Sequence, residues 1–332
     1  MIDARNIYRK VTRKIYDFSP EQEQNILAIV WLYRGNTDKY LDLVANYCRR
    51  MLAEGAACFT MKDDEGKTVE PLLDFIGALA TLRSIIEPFL KTLTKDAPHA
   101  APLKELDDAI PLFKGDLEMF RKSVSERQTD WGQRKTTNGE LTTEQEAEGD
   151  AHSAPEGCAP RTAHINKAVD RLAPLAETSR DLVRQTDLLY KLACRLIETC
   201  ENECAARDSD IWAGRDITRA RKAADEVRAL AVEQLKQVRY FWKQAHWLTE
   251  RFPEAELSDV EGLVKVVDRV EIEANDWSLT PGRYVGVAPE EEDEDFDFEE
   301  TLRDIHVELE DLNAEAVQLA ATIKKNFEEL GV

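Results

Sequence analysis

Residues that interrupt helices are scarce in this sequence. Only 14 glycines and 12 prolines occur among 332 residues, and most fall between long segments dominated by Ala, Leu, Glu, Lys, Arg and Gln. That scarcity leaves little room for sheet and points to an all-α protein. Positive charge is also in deficit, with 44 Lys and Arg against 65 Asp and Glu, a formal net charge of −21. Nucleic-acid binding rests on Lys and Arg replacing counterions, so a broad phosphate-binding surface is excluded and any DNA contact is expected to be local or made by a partner. Cys48, Cys58, Cys158, Cys194, Cys200 and Cys204 are thinly spread, unlike the dense framework of a small secreted domain, and reduced thiols are expected. No uninterrupted apolar run is long enough to cross a bilayer. The opening Met1-Ile2-Asp3-Ala4-Arg5 lacks the apolar core of a signal peptide, which predicts a cytoplasmic protein without a membrane partner.

What is present is helical periodicity. Ser19-Pro20-Glu21-Gln22 reads as a helix start, with a Ser cap, Pro at the first helical position and Gln three residues after the cap. The helix runs through Ile26, Ile29, Val30 and Tyr33 to Gly35. A second, from Asn36-Thr37-Asp38, carries Leu41, Val44, Ala45 and Cys48 on one face and stops near Gly55, so residues 1–58 read as a helical hairpin. Residues 59–134 form a helical segment, with Pro88 marking a kink and a helix over Leu103–Gln128. Residues 135–161 are rich in Thr, Glu, Gly, Ser and Pro and are expected to be a disordered linker. A long antiparallel helical hairpin follows over 162–256, whose first helix spaces Leu182, Thr186, Leu189, Ala193, Leu196 and Cys200 alternately by four and three, a coiled-coil seam. About 45 residues at 1.5 Å each make that helix roughly 65–70 Å long, so an elongated bundle is expected.

Residues 257–298 read as a turn-rich connector, in which Pro281-Gly282 suits the centre of a type II turn, ending in an acidic stretch. Nine carboxylates lie between Glu290 and Glu300, interrupted only by Phe296 and Phe298. Such a block is more often a solvated linker than a mimic of DNA phosphates. Residues 299–332 form a terminal helix with Leu302, Ile305, Leu309, Leu312, Ala316, Leu319 and Ile323 in strict three-four alternation, the most regular coiled-coil seam in the chain.

Two stretches together resemble one family. Ile2-Asp3-Ala4-Arg5, Phe18-Ser19-Pro20-Glu21-Gln22 and Ile29-Val30-Trp31-Leu32-Tyr33-Arg34-Gly35 form the first. Val267-Asp268-Arg269, Glu271-Ile272 and the run Asn275-Asp276-Trp277-Ser278-Leu279-Thr280-Pro281-Gly282-Arg283-Tyr284-Val285-Gly286-Val287 form the second, followed by the acidic stretch and heptad helix. In this order they resemble the C-terminal part of the modification (M) subunit of type I restriction–modification systems, adenine-N6 DNA methyltransferases. The middle, about 36–261, looks like a helical insertion. The methylase motifs are missing: no Asn-Pro-Pro, Asp-Pro-Pro or Ser-Pro-Pro occurs, and no glycine-rich strand-to-helix turn stands near Met1 to hold S-adenosylmethionine.

The resemblance therefore implies a C-terminal fragment or a split M subunit, whose catalytic domain lies upstream or on another chain. S-adenosylmethionine would belong to the holoenzyme, with no cofactor in this chain. The implied partners are the specificity (S) subunit, the methylase catalytic domain and, as a further candidate, the restriction subunit, with DNA reached only through the complex. Leu302, Ile305, Leu309, Leu312, Leu319 and Ile323 are the expected partner-binding residues. Arg283 and Tyr284 are candidates for contact with the catalytic domain or DNA, although turn packing explains them nearly as well. No residue is expected to be catalytic. An alternative of another class is a free-standing acidic helical adaptor or DNA-mimic inhibitor.

Three smaller features allow a functional and a packing reading. Cys194, Cys200 and Cys204 invite a metal, but zinc usually wants four ligands and no fitting pair is near in sequence. Tyr240, Phe241, Trp242, His246 and Trp247 could stack bases, yet such spacing more often packs a helix seam. His99, His152, His164 and His306 offer no relay geometry and are expected to face solvent.

Overall fold

A computed structural model describes residues 1–4, 7, 9–10, 16–94, 97–138 and 158–288, together with positions 302, 305, 309, 313, 316, 317, 319, 320 and 323. The order is β1 (Arg9–Lys10), β2 (Tyr16–Asp17), α1 (Pro20–Tyr33), α2 (Thr37–Ala57), β3 (Met61–Lys62), β4 (Thr68–Val69), α3 (Pro71–Leu90), α4 (Ala100–Asn138), α5 (Cys158–Glu203), α6 (Gly214–Arg251) and α7 (Arg269–Ala274). The protein is all-α apart from two small antiparallel pairs, β1 with β2 and β3 with β4.

The start of α1 follows from its sequence. The Ser19 hydroxyl accepts from the Gln22 amide at 3.2 Å, and the Gln22 side chain accepts from the Ser19 amide at 2.8 Å. Two otherwise orphaned donors are thereby satisfied, and Pro20 supplies a preset φ. The buried face differs from the expected one: Ala28, Ile29 and Leu32 point inward, while Tyr33 is exposed because the helix ends there beside Gly35. Gly35 has φ +69°, the left-handed conformation that closes a helix.

α5 and α6 form the central antiparallel hairpin, and α2, α3 and α4 pack against it. All six residues of the α5 seam, from Leu182 to Cys200, are buried. Thr186 is tolerated there because its hydroxyl donates to the Leu182 carbonyl at 2.7 Å. Burying a Leu or Phe contributes about 1.5–3 kcal/mol, and the core that runs from Ile29 through Leu41, Phe75, Phe113 and Leu189 to Phe241 supplies most of the stability. At 46 residues α5 spans about 69 Å, so the bundle is elongated.

Three expectations are corrected. The segment 135–161 is helical at both ends, since α4 continues to Asn138 and α5 already begins at Cys158, and residues 139–157 lie outside the described residues. Extending a helix that has nucleated costs little, so Lys135–Asn138 prolong α4 despite their polarity. The turn Asp63–Lys67 is the loop of a hairpin rather than a break between helices, with the Asp63 carboxylate accepting from the amides of Glu65 and Lys67. α3 runs on through Pro88 to Leu90.

Candidate assembly surface

The chain start returns to its distant second stretch. The Met1 ammonium donates to the Lys265 carbonyl at 2.7 Å, the Lys265 amide donates to the Met1 carbonyl at 3.1 Å, and the Asp3 amide donates to the Leu263 carbonyl at 2.8 Å. Ile2 and Val264 form an antiparallel bridge, and Leu263, Val264, Tyr284 and Val285 are buried around it. Gly262 is required here. Its φ is +72°, its amide donates to the Val285 carbonyl at 2.6 Å, and a Cβ would stand 2.3 Å from the Ala288 nitrogen. The two family-like stretches are thus joined in space, with the helical bundle looped out between them.

A polar set ties the first stretch to the bundle. The Tyr47 hydroxyl donates to the Glu21 carbonyl at 3.0 Å and the Asn25 amide donates to Gln244 at 2.8 Å. Ser19 and Tyr240 share a hydrogen bond of 2.8 Å, and Arg50 pairs with Glu21 at 2.6 Å while lying 3.9 Å over the Phe241 ring. The aromatic cluster of α6 accordingly packs within the protein: Phe241 is buried and the Trp242 indole donates to the Val169 carbonyl. Trp247 lies beneath the Arg251 guanidinium.

Past Lys265 the surface changes. Asp268 caps α7 by accepting from the Glu271 amide at 2.7 Å, and Asp276 and Trp277 both adopt positive φ, so the chain turns sharply. Pro281–Arg283 form a 3-10 turn rather than a type II turn, because successive amides of Arg283 and Tyr284 reach back to Thr280 and Pro281 and Gly282 does not need a positive φ. Tyr284 is buried, and its hydroxyl donates to the Ser278 carbonyl, while Arg283 beside it is exposed. Trp277 is exposed with the Arg269 guanidinium over its ring.

Of the twenty exposed large apolar residues among those described, eleven lie beyond residue 265. Five belong to the sequence-predicted seam: Leu302, Ile305, Leu309, Leu319 and Ile323 are helical and 47–59 % exposed. Half-exposure is what a helix shows when no other element covers its apolar stripe. Leu312 and the acidic run Glu290–Glu300 lie outside the described residues.

The cysteines pack. Cys194 and Cys200 are buried, Cys204 is half-buried, and burial pushes the Cys200 thiol up to about 12, so it keeps its proton at neutral pH. No group of three or more His, Cys, Asp or Glu converges on a metal position among the described residues. His164 is exposed as expected, whereas His99 is buried in the turn before α4, and burial followed by the nearby Arg83 charge lowers its pKa. His152 and His306 lie outside the described residues. No helix among those described is long and apolar enough to cross a membrane.

Fold and surface together define an all-helical protein whose uncovered apolar chemistry is concentrated at one end of the chain. No protein-family model and no solved structure matches it. The methylase subunit of the type I restriction enzyme HindI from Haemophilus influenzae is similar over a short stretch, 46% identical across 61 residues. That stretch is 18% of this chain and covers 14% of the relative's length, a partial link to type I modification subunits. The bridge between residues 1–3 and 263–265 was not foreseen, since pairing this short leaves no alternating pattern to read.

Proposed function

We propose that this chain is the assembly region of a type I modification subunit and docks on a specificity subunit, so that the complex, not this chain, methylates adenine N6. The observation that carries this reading is the 46% identical stretch shared with a type I methylase subunit. It is supported by the exposed heptad stripe, since an apolar helix face in water gains most of its stability from a partner helix. Leu302, Ile305, Leu309, Leu312, Leu319 and Ile323 are the knobs of that contact. S-adenosylmethionine and the flipped adenine are held by a methylase domain upstream or on another chain, and DNA and any restriction subunit join through the complex.

The joined ends add a steric argument. Because residues 1–3 pair with 263–265, the two family-like stretches occupy one location regardless of the helices looped out between them. An insertion of this kind leaves the parent surface intact. Exposed Arg283 lies on that surface and is the residue we assign to contact the catalytic domain or DNA. Buried Tyr284 holds the turn through Ser278.

The test is co-purification with the specificity subunit of the same system. Leu309→Asp with Leu312→Asp places charge in the seam and is expected to abolish association while helical content is retained. Retained pull-down by that variant, or by the chain truncated after Pro289, would sink the reading.

A further inference from the structure

The far end of the bundle carries a cavity of about 820 Å³, enclosed by the end of α5, the start of α6 and the 3-10 turn Ala206–Asp208 between them. That volume lies in the range of small-ligand pockets. Its lining is unlike the rest of this acidic chain: Arg207, Arg215, Arg221 and Lys222 face it against two carboxylates, Glu201 and Asp225. Both carboxylates are occupied, Glu201 by Arg207 at 2.7 Å and Asp225 by Arg228 at 2.8 Å. Arg221 is shared with Glu198 at 3.5 Å, and Lys222 reaches Glu226 only at 3.9 Å.

Two groups in the wall are unsatisfied. Arg215 is exposed and makes no hydrogen bond or ion pair among the described residues. The Trp212 indole N–H is sealed from water without an acceptor, its ring held edge-on against Phe89 at 5.1 Å. A donor left in that condition costs about 1–3 kcal/mol unless something accepts from it. α6 also begins here on Ala213, which has no side chain to cap it, so its positive end opens on the same space.

We propose that this cavity binds the phosphate group of a small phosphorylated ligand of nucleotide size. The guanidinium of Arg215 presents the fork that matches phosphate oxygens, Lys222 adds a point charge, and Trp212 supplies the orphan N–H. A small ligand is favoured over a nucleic-acid strand, because the net charge of −21 repels an extended polyanion while a pocket of local positive charge still attracts a compact one. The site is independent of the assembly reading. It stands at the opposite end of the 38-residue α6, about 57 Å from where the chain ends meet.

The experiment is calorimetry on the full chain with ATP, inorganic phosphate and a short DNA duplex as probes. ATP is expected to bind with Kd below about 1 mM, and Arg215→Glu, an exposed change that leaves helicity intact, to weaken it about tenfold or more. Trp212→Phe keeps the ring against Phe89 but removes the donor, and a smaller loss is expected. Inorganic phosphate bound as tightly as ATP identifies the phosphate alone as the ligand, and tighter ATP binding identifies a nucleotide. No heat with either probe at about 1 mM, affinity unchanged in Arg215→Glu, or duplex bound more tightly than ATP through Arg215 would each overturn the proposal.

Discussion

Leu189 and Leu309 occupy the same kind of position, each in an apolar seam that alternates by three and four residues, yet Leu189 is 2% exposed and Leu309 is 53% exposed. The α5 seam is covered by α6 and α4 of its own chain, while the C-terminal seam is covered by no described residue. Periodicity therefore reports that a face requires a partner. It does not report whether the partner is in the same molecule. The difference also separates two energetic roles, since the first seam holds the fold and the second is free to bind.

The largest effect should come from cutting into the covered seam. Leu189→Ala is expected to lower unfolding free energy by about 2–5 kcal/mol in urea denaturation, through lost transfer energy and the cavity left behind. The matching Leu309→Ala should stay within about 0.5 kcal/mol in the isolated chain and weaken only association. Equal destabilisation by the two would break the comparison, because it would mean the terminal helix is packed within the chain.

Gly262→Ala comes next and probes the junction that separates the two regions. Its Cβ meets the Ala288 backbone and its φ is positive, so a cost of about 1–3 kcal/mol is expected, concentrated at the junction. Hydrogen exchange should show lost protection at the Asp3 and Gly262 amides while α5 stays protected. Protection lost throughout would show that the junction and the bundle are one cooperative unit.

Tyr40→Phe acts within the bundle near the same boundary. The Tyr40 hydroxyl is within hydrogen-bond reach of the carbonyls of Leu248 and Phe252, at 3.0 and 3.2 Å, where α6 ends. Removing it leaves those acceptors unserved at an expected cost of about 1 kcal/mol in thermal or chemical unfolding. A neutral result would mean that water reaches the end of α6.

The smallest effect is confined to acid solution. His99 is buried with no partner for Nδ1, and its pKa is lowered first by burial and then by Arg83. A base whose folded pKa lies below its unfolded value of about 6.5 makes the unfolded state bind more protons in between, so stability falls as pH drops through about 6.5 and levels off below the folded pKa. His99→Gln should flatten that part of the stability–pH curve. An unchanged curve would assign the acid sensitivity to other groups.

Much of this was legible in the sequence because local rules wrote it. The capping box at Ser19 and Gln22, the starts and stops of α1 and α2 and the six-residue seam of α5 all follow from spacings within a few residues. Where local rules compete, the reading slipped: a polar stretch prolonged α4 to Asn138, a type II turn became a 3-10 turn, and a polar loop became a hairpin. Single residues at element ends tip such choices by a few tenths of a kcal/mol, so neighbours decide them.

By itself the sequence determined that the chain is helical, strongly acidic and equipped with two heptad seams, because composition and period are properties of adjacent residues. Only the tertiary structure decided that the chain start meets residues 263–265, that Gly262 lies against Ala288, and that Arg215 and Trp212 line one cavity. Each of these is a contact between residues far apart in sequence or a space enclosed by several elements. Such arrangements come from packing whole helices, and no spacing along the chain records them.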